Sequence, residues 1–187
     1  MSVHLVIGAS GLVGEHLLRC LQRNGQPAIG TYYQHPRQGL YPLDLRDRQA
    51  IAELLRRFEP SIVYLPAALT NVDYCELHPE EAYEINVLGT CLVVHESNSI
   101  GARLVYFSSD YVFDGLNGPY LETDPARPIC EYGQQKLLCE HYIALHADNY
   151  LIVRTTVVYG WESQGKNFVQ RLVKALRAGE RVRVPKD

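Results

Sequence analysis

The chain has 187 residues, 47% of them apolar and 21% charged, the proportions of an ordinary folded chain with one sizeable core. A formal charge of −3 gives no basic footprint and argues against nucleic-acid or anionic-membrane binding. Five cysteines form no Cys-x-x-Cys pair and no Cys/His pair at zinc spacing, so no metal is expected, and their odd number suits free thiols in a reducing, cytoplasmic setting.

At the N-terminus, Val3, Leu5, Val6 and Ile7 form a short apolar run of strand formers, which predicts a strand buried on both faces. Gly8, Gly11 and Gly14 follow at three-residue intervals, and Val13, Leu17, Leu18 and Leu21 then recur at helical spacing. Strand, glycine turn and helix open a dinucleotide-binding βαβ unit. Gly8 permits a tight turn, Gly11 lets the backbone approach a pyrophosphate, and Gly14 lets the helix pack against the strand. The helix N-terminus offers free N–H groups to phosphate charge. The spacing differs from Gly-x-Gly-x-x-Gly. Placement between strand and amphipathic helix is what favours a cofactor over a plain turn.

Gly25-Gln26-Pro27 is a break, and residues 28–32 read as a second strand. An acidic residue at its end would bind a ribose 2′-hydroxyl and favour NAD. The stretch from Thr31 to Arg37 holds none; His35 and Arg37 there are placed to face a 2′-phosphate, which favours NADP. Residues 41–45 are a short extended piece. Asp44 lies near the adenine end of a cofactor or caps the next helix, a role Asp47 also fits. That helix runs from Asp47 to Phe58, with Ile51, Leu54, Leu55 and Phe58 on one face, and Pro60 ends it. Residues 61–65 are another buried strand, and the small Ala67 and Ala68 after it allow a flat ligand to lie on the backbone. Pro79 starts a long helix to about Ser99. Asn86 is polar on its inner face, in a structural or a site-supporting role.

Residues 103–107 form a strand, with Ser108 and Ser109 at its carboxyl end, where doubly wound sheets bind ligands. Either serine is a candidate for polarising a substrate oxygen. A turn-rich loop covers 115–128. From Tyr132 to His146 the pattern is helical, and Tyr132 and Lys136 stand one turn apart on one face. A protonated lysine there lowers the phenol's pKa from its usual ~10 and makes it a better general acid. By itself, Tyr-x-x-x-Lys is as easily a helix-surface pair. Residues 150–154 are a further strand, Asn167 to Ala178 an amphipathic helix capped by Gly179, and Arg181 to Val184 the start of one more strand. Strands alternating with helices predict an α/β fold, a doubly wound parallel sheet with helices on both faces.

Order adds what the single motifs lack. Ser108-Ser109-Asp110-Tyr111-Val112-Phe113-Asp114-Gly115 resembles the hallmark stretch of the dTDP-4-dehydrorhamnose reductase family, within the extended short-chain dehydrogenase/reductases. Pro119-Tyr120-x-Glu122-x-Asp124, Tyr132-Gly133-x-x-Lys136-Leu137-x-x-Glu140, Asn71-Val72-Asp73-x-Cys75-Glu76 and Ile85-Asn86-Val87-x-Gly89-Thr90 fit it too. The resemblance implies a Rossmann domain over residues 1–160, with 161–187 beginning a substrate-binding portion that is largely missing. It implies phosphate contacts from Gly8, Gly11 and Gly14, with Ser10, Leu12 and Val13 in the same turn. Tyr32 and Arg37 join the cofactor contacts, Asp44 and Leu45 meet the adenine, and Ala67 and Ala68 line the nicotinamide side. Ser109, Tyr132 and Lys136 fall on the catalytic positions, Tyr132 as proton donor and Lys136 on the nicotinamide ribose. Ser109, Asp110 and Tyr111 fall at the substrate. The implied reaction is NADPH-dependent reduction, with NAD as the other cofactor, of the C4 ketone of a nucleotide-linked 4-keto-6-deoxysugar. A homodimer is the implied assembly. The same fold and similar motifs occur in the regulatory β subunit of methionine adenosyltransferase, a non-catalytic alternative. Nucleotide-sugar epimerases and dehydratases are another.

Overall fold

The computed structural model describes residues 2–162, 164, 165 and 167–183. Six parallel strands form one sheet in the order β3-β2-β1-β4-β5-β6: β1 His4–Val6, β2 Ala28–Tyr32, β3 Leu40–Pro42, β4 Ile62–Leu65, β5 Arg103–Ser109 and β6 Tyr150–Thr155. β1 is central, with Leu5 opposite Ile29 on one side and Val63 on the other. Connections turn one way from β1 to β2 and β3, and the other way through β4, β5 and β6. The switch point is therefore between β1 and β4, where such sheets open a crevice at the carboxyl ends.

Alternation along β1 divides the core. Leu5 and Ile7 face the larger cluster, built with Ile51, Leu54 and Leu55 of α2 (Arg48–Phe58), Val93 and Val94 of α5 (Gly89–Ser99), and Cys139 and Ile143 of α6 (Glu131–His146). Val6 faces the other way, onto Leu17, Leu18 and Leu21 of α1 (Leu12–Arg23). Both faces of the sheet are thus covered, as a parallel sheet requires. Two short helices, α3 (Val72–Leu77) and α4 (Pro79–Tyr83), follow β4.

Asp47 caps α2 by accepting from Ala50 N, so the cap falls to Asp47 rather than Asp44. Glu59 closes that helix in a left-handed conformation just before Pro60. The stretch from Pro79 to Ser99 is helical throughout but not uniform. A π turn at Glu84–Leu88 joins α4 to α5, with Gly89 N reaching back to Glu84 O. Asn86 O accepts from Thr90 Oγ1 at 2.6 Å and from Cys139 Sγ at 3.2 Å. Side chains thus serve a carbonyl that the wider turn sets out of register. The final helix, α7 (Phe168–Arg177), is capped by Asn167, and Gly179 follows its end at φ +72°. The expected strand after it is not formed: Arg181–Arg183 are irregular, and Val184 lies outside the described residues.

Candidate active site

The glycine turn is held by close approach. Gly8 has φ +94°, a side chain there would put its Cβ 2.8 Å from Ala67 Cβ, and a Cβ at Gly14 would collide with Gly8 O. Gly8 N donates to Thr31 Oγ1 at 3.1 Å, Gly11 N donates to Gly8 O at 3.1 Å, and Ala67 N donates to Ile7 O at 3.1 Å. β2 and β4 thereby brace the turn from both sides. At Gly11 an added Cβ would meet only Gly8 O, at 3.5 Å, so its outer side is open. Gly11 caps α1 with no side-chain acceptor, which leaves the first-turn N–H groups facing the crevice. Backbone, positive helix end and open approach together fit a pyrophosphate. Thr31 was not apparent as a brace in the sequence; its signal is a buried hydroxyl one residue before the end of β2.

The neighbours of the turn divide. Ser10 is buried and its carbonyl accepts from Gln164 Nε2 at 3.0 Å. Leu12 and Val13 line an apolar cleft of about 420 Å³ with Phe107 and residues 158–160. A phosphate would meet these two through their backbone.

At the adenine end, Tyr32 closes β2 and is half-buried. Arg37 Nη1 lies 2.7 Å from Glu15 Oε2, while Arg19 reaches the other oxygen of the same buried carboxylate at 2.7 Å. Arg37 is therefore brought to the first turn of α1 by an ion pair, and His35 stays exposed. Asp44 is gripped by Arg46, through Nε at 3.0 Å and Nη2 at 2.7 Å, and Arg46 Nη2 also donates to Tyr33 OH at 2.7 Å. The hydrogen bonds from Arg46 hold the Asp44 carboxyl below its ordinary range against a smaller opposing effect of burial. Leu45 buries its side chain in the core.

Ala67 and Ala68 lie at the carboxyl end of β4, next to the glycine turn. Asn86 secures the chain after them: its Oδ1 accepts from Leu69 N at 2.8 Å, and its Nδ2 donates to Leu69 O at 3.1 Å and to Gln135 Oε1 at 2.9 Å. Asn86 is a satisfied structural residue in a place that supports the site.

The two serines part company. Ser108 is buried and donates to Glu140 Oε1 at 2.5 Å, so its expected role at a substrate oxygen is corrected; it has a partner in α6. Ser109 accepts from Tyr111 N at 3.2 Å and donates to Asp110 Oδ1 at 3.0 Å. The Ser109 side chain also acts on the Tyr132 phenol, pulling its pKa down. Tyr132 is 7% exposed. Tyr111, exposed, sets its ring edge-on to Tyr132 at 5.8 Å between centroids. Lys136 Nζ donates to Phe107 O at 2.8 Å and lies 4.6 Å from the Tyr106 ring centroid. Ser109, Asp110, Tyr111, Tyr132 and Lys136 are thus gathered at the end of β5.

One expectation fails here. Lys136 does not lower the Tyr132 pKa. Burial pushes the phenol above its ordinary value, against a smaller downward pull from Ser109. Burial likewise brings the Lys136 ammonium down to about 8. Both groups sit among apolar neighbours and lose water, which disfavours either charge.

A family model described as the RmlD substrate binding domain matches residues 1–187. The chain belongs to that family, whose fold is the α/β Rossmann type seen here. Over the whole chain it is 36% identical to the spore coat polysaccharide biosynthesis protein SpsK of Bacillus subtilis, covering 63% of that protein. It is 35% identical to methionine adenosyltransferase 2 subunit beta of Bos taurus, over 83% of the chain and 47% of that protein. A crystal structure of dTDP-4-dehydrorhamnose reductase from Bacillus anthracis in complex with NADP superposes with a TM-score of 0.86 at 29% identity, over 95% of this chain and 61% of that one. The chain therefore spans about half to two thirds of the length of these relatives.

Proposed function

We propose that this chain carries the cofactor site and the proton-transfer residues of an NADPH-dependent reductase acting on a nucleotide-linked 4-keto-6-deoxysugar. The observation that carries the reading is the meeting of Ser109, Tyr132 and Lys136 at the end of β5, two strands from the braced glycine turn. Gly8, Gly11 and Gly14, with the backbone of Ser10, Leu12 and Val13, hold the pyrophosphate. Tyr32 and Arg37 would hold the ribose end, and β2 ends there without an acidic side chain of its own. Asp44 and the Leu45 backbone would meet the adenine, and Ala67 and Ala68 would line the nicotinamide side. A reduced nicotinamide bound there supplies the hydride to the ketone carbon.

The chain's own residues handle the oxygen. Ser109 turns its hydroxyl from Asp110 to the ketone oxygen, and Tyr132 donates to the same oxygen and transfers its proton as alkoxide charge develops. A buried phenol keeps its proton until an acceptor of alkoxide strength appears. Lys136, protonated below about pH 8, hydrogen-bonds the nicotinamide ribose and offsets the phenolate left behind. Tyr111 and Asp110 border the sugar, and residues from 161 onward begin the portion that encloses it. The test is turnover of a nucleotide-linked 4-keto-6-deoxysugar by the protein with Tyr132→Phe as control. Consumption of NADPH with ketone reduction, lost in the variant, supports the reading; stable NADPH binding without reduction refutes it.

The similarity to methionine adenosyltransferase 2 subunit beta favours one second reading, a cofactor-binding regulatory subunit. Capture of a methionine adenosyltransferase by the protein, with no ketone reduction, would select it.

A further inference from the structure

Behind the site, α6 turns a third residue toward the sheet. Tyr132, Lys136 and Glu140 are spaced four apart along it, and Glu140 is 5% exposed. Its carboxylate takes Arg154 Nε at 3.0 Å on one oxygen and Arg154 Nη2 at 2.7 Å on the other, with Ser108 Oγ sharing the first. Ser108 and Arg154 are register partners on β5 and β6. Arg154 has a second grip. Its Nη1 donates to Glu122 O at 3.2 Å, and its guanidinium lies 5.1 Å from the Phe113 ring centroid. Phe113 stacks on Tyr120 at 4.3 Å, and Tyr120 OH donates to Asp114 Oδ1. The segment from 113 to 122 is thereby folded on itself and fastened to α6 through one guanidinium. It continues directly from Ser109, Asp110 and Tyr111.

We propose that Arg154 and Glu140 are positioning residues, whose ion pair fixes the 110–122 segment against the helix bearing Tyr132 and so sets Ser109 and Tyr111 at the substrate end of the site. The inference rests on the reductase reading of that site. A planar, bidentate fork suits this task, because it resists both sliding and rotation of α6 against β6. Loss of Arg154 leaves the buried Glu140 carboxylate with Ser108 Oγ alone. Neither residue touches the glycine turn, so cofactor affinity and catalytic geometry are separable.

The test compares wild type with Arg154→Lys, Arg154→Gln and the pair Arg154→Gln/Glu140→Gln. Amide hydrogen exchange, NADPH affinity, and kcat and KM on a nucleotide-linked 4-ketosugar are measured for each. Arg154→Gln is expected to speed exchange over 110–122 while β1 and β4 stay protected. It lowers kcat by about tenfold to a hundredfold, the cost of a displaced reacting group, with NADPH affinity unchanged. Arg154→Lys restores part of kcat, and the double variant, lacking the orphan carboxylate, is more stable to urea than the single variant. Unchanged exchange over 110–122, or NADPH affinity falling in step with kcat, would overturn the proposal. Wild type that binds NADPH but reduces no ketosugar refutes the reductase reading instead, and exchange then decides the ion pair's role alone.

Discussion

Lys136 is the residue whose chemistry depends most on where the fold puts it. The residue is 3% exposed, and burial brings its ammonium pKa from 10.5 down to about 8. Below pH 8 both folded and unfolded chains carry the proton, and the folded state bears the full cost of the buried charge. Between pH 8 and 10.5 the unfolded chain binds more protons, so stability rises with pH across that window. Relative to Lys136→Met, wild type should gain about 2 kcal/mol between pH 7 and pH 9.5, read from urea unfolding of both at the two pH values. No difference in the gap between them would show that the charge is better solvated than its surroundings imply. Tyr132→Phe should lower kcat by about 10²- to 10⁴-fold, the usual worth of a general acid, with NADPH affinity kept. Gly8 needs no chemistry to be tested. Alanine there meets both a φ of +94° and the Ala67 side chain at 2.8 Å, and the strain alone is worth about 1–3 kcal/mol, measurable in the same unfolding assay.

Among the elements, the helical run from Pro79 to Ser99 shows how a local irregularity serves a distant one. Its π turn places Asn86 so that one side chain satisfies both polar groups of Leu69 and meets Gln135 of α6. Asn86→Ala leaves Leu69 N and Gln135 Oε1 without their partner, a loss of about 1–3 kcal/mol for a buried group. Because the Leu69 peptide follows Ala67 and Ala68, NADPH affinity should fall along with stability. Calorimetric titration beside a urea curve checks both; stability lost with affinity intact would confine Asn86 to the core. The motif from Asn71 to Glu76 also gains a physical account. Asn71 caps α3, Cys75 packs against Tyr132, and the Glu76 carboxylate accepts from Glu131 N at 2.6 Å, at the start of α6. This short helix therefore holds the first turn of the helix that carries the phenol.

For the molecule as a whole, strands flank the switch point between β1 and β4 on both sides, where such sheets open a ligand crevice. The chain should therefore bind NADPH by itself. At a hundred times Kd the cofactor should stabilise it by about 2.7 kcal/mol, and Gly11→Glu should abolish the effect by placing a carboxylate where the pyrophosphate goes. NADPH should raise the unfolding midpoint more than NADH at equal concentration, since no acidic side chain ends β2. The reverse order would assign the site to NAD. All five cysteines are free thiols, and no helix among the described residues is long and apolar enough to cross a membrane.

Strand and helix positions were legible from periodicity, because burial against one core imposes the same 2.0 and 3.6 residue repeats wherever the chain goes. The glycine turn and the shared face of Tyr132 and Lys136 were legible because backbone geometry and short spacing fix them locally, whereas Ser109 beside them was implied by the family resemblance. Four features were decided only by the tertiary structure. Ser108 and Ser109 look alike in the chain, yet one meets Glu140 behind the site and the other Asp110 within it. Arg37 looked like an open cation and is drawn to Glu15. Arg154 carried no signal, since its two partners lie 14 and 32 residues away. The Tyr132 pKa runs opposite to what spacing implied. Spacing describes which groups share a face, whereas a proton's affinity follows the water each group loses, and water is lost only when distant segments close over the site.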